Sequence, residues 1–115
     1  MTGLETLRDA LRAFTDARDW HAFHSPKNLA TALSVESAEL LEVFQWMNEA
    51  DSRNLDAAAK AAASEEIADV LMYLVMIADA LDIDPVAAAE RKMVANERKY
   101  PVEKSRGTSR KYDAL

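Results

Sequence analysis

The chain has 115 residues, half of them hydrophobic, with two glycines, three prolines and a formal net charge of −6. This length suits one domain, and a composition rich in Ala, Leu and Glu predicts an all-α fold. The lack of cysteine excludes disulfides and thiolate metal sites. No apolar run approaches the roughly 20 residues of a membrane span, and the first residues do not resemble a secretory signal. We therefore expect a cytoplasmic protein with no membrane partner.

The charge is distributed unevenly along the chain. Residues 91–111 hold eight Lys and Arg against two acidic residues, a local charge of +6, so the rest carries −12. The overall acidity argues against a nucleic acid polymer as partner. A basic segment beside an acidic body favours a small anionic ligand. We divide the chain into a helical domain over 1–101 and a basic, flexible tail over 102–115.

Helix 1 is predicted over roughly residues 3–18. Thr2 and Glu5 form a capping-box pattern at its start. Leu4, Leu7 and Leu11 recur at three- and four-residue steps, which is typical of an amphipathic helix. The following segment, 18–27, mixes aromatic and polar residues and is interpreted as a loop or short turn.

Three longer helices are predicted after this loop. Ser25-Pro26 and Asp84-Pro85 each combine an N-cap residue with a proline at the first helical position. These signals start helix 2, over about 25–49, and helix 4, over 84–100. The pattern breaks at Asp51-Ser-Arg-Asn54, and helix 3 is predicted from about Asp56 to Leu81. The second half of helix 3 is apolar over much of its circumference, which predicts oligomerisation through the long central helices. The expected architecture is a bundle of about four helices.

Two acidic pairs stand inside the central helices. Glu36 and Glu39 on helix 2, and Glu66 and Asp69 on helix 3, have i,i+3 spacing, which places each pair on one helix face. If the helices pack antiparallel, four carboxylates meet, and such a cluster is costly without cations. Hard oxygen ligands suit Mg²⁺, with Mn²⁺ as a substitute. The competing interpretation is a solvated acidic surface, but both pairs lie among core-type apolar residues.

The histidines do not support a di-iron site. Di-iron bundles place a histidine three residues after a glutamate, whereas His21 and His24 both precede helix 2. An all-carboxylate site favours Mg²⁺, which commonly shares its ligands with substrate phosphates. The predicted chemistry is phosphoryl or pyrophosphoryl transfer.

Aromatic residues supply candidates for a nucleobase pocket. Trp20, Trp46 and Tyr73 combine flat rings with polar tips, and Trp20 and Trp46 have polar neighbours in the sequence. Asn96 lies among Lys and Arg of helix 4, where its amide could contact a base edge. Core packing remains open for the aromatic residues, and simple surface exposure for Asn96.

These residues resemble a known family. The stretches Glu36-Ser-Ala-Glu39-Leu-Leu-Glu-Val-Phe-Gln-Trp46 and Glu65-Glu-Ile-Ala-Asp69-Val-Leu-Met-Tyr-Leu74 resemble the ExxE…ExxD signature of the MazG-like all-α nucleotide pyrophosphohydrolases. The flanking segments resemble the dCTP pyrophosphatase branch: Arg18-Asp-Trp20, Phe23-His24, Pro26-Lys-Asn-Leu29, Lys92-Met93, Asn96-Glu-Arg-Lys-Tyr-Pro101 and Arg106-Gly-Thr-Ser-Arg-Lys-Tyr112. The resemblance extends from about residue 14 to the C-terminus.

The resemblance implies Mg²⁺-dependent hydrolysis of a nucleoside triphosphate to the monophosphate and pyrophosphate by a homotetramer. Under it, the four acidic residues of the two pairs would be the metal ligands, and Glu36 or Glu39 would also activate the attacking water. The implied substrate-binding residues are Trp20, His24, Trp46, Tyr73, Lys92 and Asn96. One departure concerns Leu11, which stands where this branch carries a histidine about nine residues before the Trp20 position.

Two other functions fit parts of the pattern. A non-catalytic helical interaction module would use the acidic face to dock a basic partner and would be indifferent to Mg²⁺ with nucleotide. A metal-buffering bundle would bind divalent ions without nucleotide, but it is disfavoured by the scarcity of His and the lack of Cys.

Overall fold

The computed structural model describes residues 3–115 and divides the chain into two compact units, one ending at Asp82 and one spanning Ile83–Leu115. Every regular element in this described part is helical, which confirms the predicted all-α class. The first unit holds α1 (Gly3–Ala17), a 3₁₀ turn (His21–Phe23), α2 (Pro26–Phe44), α3 (Glu49–Ser52) and α4 (Ala57–Ala80). The second holds α5 (Pro85–Lys99), α6 (Val102–Ser105) and a 3₁₀ turn (Tyr112–Ala114).

The four long helices correspond to the four predicted from the sequence, and the predicted caps at Ser25 and Asp84 are present. The side chains of Ser25, Asp56 and Asp84 each accept a hydrogen bond from a backbone N–H in the first helical turn, at 2.8–3.2 Å. Such caps satisfy amide groups that have no partner within the helix. The predicted capping box of α1 includes Thr2, which lies outside the described residues.

The predicted end of helix 2 is wrong. We expected the helix to continue to about Glu49, but α2 ends at Phe44 and the chain turns over the next residues. Asn48 then caps the single-turn helix α3, because its side chain accepts a hydrogen bond from the Asp51 amide at 2.8 Å. Capping at Asn48 competes with continuation of α2, since an N-cap residue adopts an extended backbone rather than a helical one.

A tight turn at the end of α1 connects this helix to Trp20. Asp19 has φ +53°, a left-handed conformation that Asp tolerates better than most residues. This conformation lets the Trp20 amide donate back to the Thr15 carbonyl at 3.2 Å. Thr15 is buried, so the turn is anchored against the interior of the first unit.

The core of the first unit forms where α2 and α1 pack on α4. Leu29 of α2 is 2% exposed, and Ala63, Val75 and Ala78 of α4 are also buried. Helices α2 and α4 run antiparallel, because Leu29 lies with Val75 and Met76 at one cavity while Glu36 lies with Glu66 farther along the pair. This orientation is the one that the sequence pattern required for the acidic pairs to meet.

One face of α4 remains apolar and exposed. Ile67, Leu71 and Leu74 recur at four- and three-residue steps and are 36–54% exposed. They share one helix face, as residues at this spacing do. Oligomerisation through this face stays a prediction. Within residues 3–115, no helix combines the length and apolarity needed to cross a membrane.

The second unit includes the basic tail. Tyr112 packs edge-on against Tyr100, with ring centroids 6.2 Å apart, and the Lys99 Nζ lies 4.9 Å from the Tyr112 ring centroid. The tail therefore returns to the C-terminal end of α5 and contains the short helix α6. The predicted flexibility of residues 102–115 and the domain division at residue 101 stay predictions.

Candidate active site

The antiparallel packing of α2 on α4 brings three of the predicted metal ligands together. Glu36, Glu39 and Glu66 each offer one carboxylate oxygen, and these oxygens lie within 4.8 Å of one another. The i,i+3 spacing places both α2 glutamates on the face that meets α4. All three side chains are half-buried. We call these three residues the carboxylate cluster.

Two members of the carboxylate cluster, Glu36 and Glu66, resist ionisation. The pKa of Glu36 is raised from 4.5 to about 7, first by hydrogen bonding to Glu39 and then by desolvation. The negative charges of Glu39, Asp69 and Glu66 raise it further. Desolvation also raises the pKa of Glu66, together with the charge of Glu39 and a hydrogen bond to it. Like charges in a partly desolvated site disfavour simultaneous ionisation, and a bound cation would reverse this effect.

Two oxygen atoms of the carboxylate cluster are poised for a cation. The Oε2 atoms of Glu36 and Glu66 are buried and have no hydrogen-bond partner among residues 3–115. A buried polar atom without a partner is costly, and metal coordination is one way to satisfy it. The donor set consists of hard oxygens, so it fits Mg²⁺ or Mn²⁺ rather than a thiolate- or imidazole-preferring metal.

The fourth predicted ligand, Asp69, lies close by but outside the group of three oxygens. It follows Glu66 by one turn on α4 and is half-buried. Its charge raises the pKa of both Glu36 and Glu66, so its carboxylate acts on the same site. Its role as a direct metal ligand stays a prediction.

The predicted aromatic residues are dispersed over the first unit. Trp20 contacts Phe14 and His24 edge-on, with centroid distances of 5.7 and 6.2 Å. Tyr73 is half-buried on α4, one turn after Asp69. Trp46 lies in the turn after α2 and is 90% exposed, which leaves its ring available for stacking. The structure thus joins Trp20 with His24, and it leaves Trp46 as a separate exposed ring.

A cavity of 240 Å³ opens between α1, the first 3₁₀ turn, α2 and α4. Its apolar wall includes Leu29, Val75 and Met76, and its polar residues include two arginines and two histidines. The residues that line it are Arg8, Leu11, Arg12, Thr15, His21, His24, Leu29, Val75, Met76, Asp79 and Ala80. Of the predicted substrate-binding residues, His24 lies on this wall.

The comparisons with known proteins agree with this geometry. The model of the MazG-like family matches residues 31–115, a stretch that contains both acidic pairs. The chain belongs to the MazG-like family. This assignment confirms the resemblance drawn from the acidic motif, whose carboxylates the antiparallel helix pair brings together.

The individual proteins that this MazG-like chain resembles are named as pyrophosphatases. It is 41% identical over 114 residues to dCTP pyrophosphatase 1 of Rattus norvegicus and 40% identical to that of Homo sapiens. In both cases the match covers 97% of this chain and 67% of the relative. A crystal structure of a pyrophosphatase from Archaeoglobus fulgidus shares 47% sequence identity, with a TM-score of 0.77, over 88% of this chain and 94% of that one.

Sequence reasoning missed the ion pair on the cavity wall of this MazG-like protein. Arg12 Nε donates to Asp79 Oδ2 at 2.8 Å, and Arg12 Nη2 donates to Asp79 Oδ1 at 2.5 Å. One signal was available: Asp79 is a charged residue between apolar residues near the C-terminal end of α4. Nothing local identified Arg12 as its partner, because the two residues are 67 positions apart.

Lys92 and Asn96, the remaining predicted substrate-binding residues, lie in the second unit of the MazG-like chain. Both are exposed and stand one turn apart on α5, so they share one face of that helix. Their contact with substrate stays a prediction.

Proposed function

We propose that this protein is a Mg²⁺-dependent nucleoside triphosphate diphosphatase. It hydrolyses a deoxynucleoside triphosphate, with dCTP or a modified dCTP as the best candidate, to the monophosphate and pyrophosphate. The observation that carries the proposal is the carboxylate cluster, with its two buried oxygens that lack hydrogen-bond partners in the described chain. Relatives named dCTP pyrophosphatase 1, at 40–41% identity over nearly the whole chain, support the substrate class.

The metal would be held by Glu36, Glu39 and Glu66, with Asp69 as the fourth proposed ligand. Mn²⁺ is expected to substitute for Mg²⁺, because both accept carboxylate oxygens. When bound, a divalent ion of this kind polarises phosphate oxygens and lowers the pKa of a nearby water. The negative cluster also explains the need for a metal, since the carboxylates would otherwise repel a triphosphate.

Residues of this chain accept the proton from water and position the substrate. A water oxygen attacks phosphorus, the bond to the departing pyrophosphate breaks, and Glu36 or Glu39 accepts the proton that the water loses. Trp20 and His24 are proposed to contact the base, with Trp46 and Tyr73 as further substrate-binding residues.

The proposed active form is a homotetramer that assembles through the exposed apolar face of α4. This face, formed by Ile67, Leu71 and Leu74, is a continuous stripe on the longest helix, and burying it would remove apolar surface from water. The proposed setting is the cytoplasmic nucleotide pool, where the enzyme would remove unwanted triphosphates.

The deciding experiment measures pyrophosphate release from a panel of dNTPs, NTPs and modified nucleotides, with Mg²⁺ and with a chelator. Release that needs Mg²⁺ and is highest with a deoxycytidine triphosphate is the expected result. Glu36→Gln should abolish it, whereas Glu49→Gln, a change at a residue of α3 with a 91% exposed side chain, should not. If no nucleotide released pyrophosphate, the result would instead favour the non-catalytic interaction module, which the named relatives do not favour.

A further inference from the structure

The cavity lies on the same side of the helix pair as the carboxylates. Leu29 and Met76 line the cavity, and each stands seven residues from an acidic residue on its own helix: Glu36 on α2 and Asp69 on α4. Seven residues are close to two helical turns, so cavity and carboxylates share a helix face and lie roughly 10 Å apart along the axes. The sugar of a nucleotide separates its base from its phosphates by a distance of this order. Phosphates at the carboxylates therefore leave the base within reach of the cavity.

The size and walls of the cavity suit a single heterocycle. Its volume of 240 Å³ is below the range of about 300–1,000 Å³ that is typical of pockets for whole drug-sized ligands. Leu11, Val75 and Met76 provide apolar surface for a flat ring. His24, also on the wall, is held edge-on against Trp20. Such a combination of apolar walls and a few fixed polar groups is typical of specific small-ligand sites.

The fixed polar group is the Arg12–Asp79 pair. Arg12 holds the carboxylate through two parallel hydrogen bonds, a geometry that restricts both side chains. These bonds lower the pKa of Asp79, so the group is ionised at neutral pH and acts only as an acceptor. An ionised carboxylate has about four acceptor positions, of which Arg12 uses two, so Asp79 can accept further hydrogen bonds.

We propose that the Arg12–Asp79 pair selects the base of the substrate. Asp79 accepts a hydrogen bond from the 4-amino group of a cytosine ring in the cavity, and Arg12 positions Asp79 for this contact. A uracil or thymine ring carries a carbonyl oxygen in place of that amino group. A carbonyl cannot donate, and its lone pairs would face the carboxylate, so the cavity discriminates against these bases. This inference rests on the proposed function, because it adds base selectivity to the same site.

The test compares cytosine and uracil ligands in wild type, Asp79→Asn and Arg12→Gln. The readouts are the kcat/KM for dCTP and dUTP and the Kd for dCMP and dUMP. The amide of Asn can donate as well as accept, so Asp79→Asn should reduce the preference for cytosine by about 10- to 100-fold. Arg12→Gln should reduce it less, because Asp79 remains but is no longer held in place. The matched controls are Glu49→Gln and Arg53→Gln, which break an exposed ion pair of 3.8 Å between the first residue of α3 and its C-cap and should leave the preference unchanged.

A ligand-side experiment covers the case in which the variants do not fold. The 2-pyrimidinone analogue of dCMP lacks the 4-amino group, so wild-type protein should bind it at least about 10-fold more weakly than dCMP. Equal affinity would overturn the inference. A variant in which kcat/KM falls by the same factor for dCTP and dUTP would also overturn the inference, because a purely structural pair affects both substrates equally.

The outcomes also separate this inference from the proposed function. If the protein binds dCMP selectively through Asp79 but releases no pyrophosphate from any nucleotide with Mg²⁺, the proposed chemistry is wrong and the base-selecting pair stands. If it hydrolyses dCTP and dUTP but Asp79→Asn does not alter the ratio of their kcat/KM values, the proposed chemistry is supported and the inference about base selection is wrong.

Discussion

Glu36 on α2 and Glu66 on α4 both present an Oε2 atom to the helix interface, where each is buried and has no hydrogen-bond partner within the described chain. Two such atoms on different helices make the interface costly in the absence of a cation. The protein thus gives up stability where it would hold a metal, which is typical of functional sites.

Replacing one of these carboxylates should lower the activity and raise the stability of the metal-free protein. Glu66→Gln is expected to lower kcat by at least about 100-fold, because metal stabilisation of the transition state is worth several kcal/mol. The same change should raise the urea midpoint of the metal-free protein, since it removes a repulsive charge. Activity assays and urea unfolding with a chelator measure the two effects, with Glu49→Gln as the control. Full activity in Glu66→Gln would remove this residue from the metal site.

The metal-free protein should lose stability as the pH rises. The pKa of Glu36 is about 7 in the folded protein against an ordinary value of 4.5, so between these values the folded state holds a proton that the unfolded state has lost. The contribution of Glu36 is therefore fully present below pH 4.5 and is lost as the pH rises through 7. Glu66, whose pKa is also raised, acts in the same direction. Urea midpoints at pH 5 and pH 8 in chelator measure the loss.

Two controls define this pH effect. Glu36→Gln should flatten the decline, because its side chain no longer titrates, and excess Mg²⁺ at pH 8 should restore stability by binding only the folded state. The Arg12–Asp79 pair acts in a different pH range. Because the pKa of Asp79 is lowered in the folded protein, this pair stabilises the fold above pH 3.8, the ordinary pKa of Asp, and its contribution is lost in more acidic solution. A midpoint that rises between pH 5 and pH 8 would contradict the assignment to Glu36.

The two tryptophans should respond differently to truncation. Trp46 is 90% exposed, so Trp46→Ala should leave the urea midpoint almost unchanged while raising KM, if stacking supports substrate and transition state alike. Trp20 contacts Phe14 and His24, so Trp20→Ala should lower the midpoint as well as raise KM. Steady-state kinetics and unfolding of both variants provide the comparison. An unchanged KM in Trp46→Ala would show that this ring does not contact substrate.

The exposed face of α4 should control the oligomeric state. Leu74→Glu places a charge in the stripe formed with Ile67 and Leu71, so the predicted tetramer should dissociate into smaller species. Sedimentation velocity of wild type and variant measures this directly. Lys60→Glu, at an exposed position in the first turns of α4, is the control for charge alone. A variant that keeps the wild-type mass would exclude this face as the interface.

Local signals in the sequence determined the helices and the acidic pairs. Ser25 and Asp84 predicted two helix starts correctly, because an N-cap acts on amides only two or three residues away. The i,i+3 spacing likewise placed Glu36 with Glu39 on one face, since helical geometry depends on the chain alone. The end of α2 was missed because Asn48 competes locally as a cap within a sequence that otherwise favours a helix.

Tertiary packing decided what these elements do together. It selected Glu36, Glu39 and Glu66 as the group with closest oxygens, left Asp69 just outside it, and raised the pKa of Glu36 through desolvation and neighbouring charges. It also joined Arg12 to Asp79 across 67 positions and formed the cavity beside them. No sequence spacing specifies such contacts, because they depend on the relative placement of helices that are far apart in the chain.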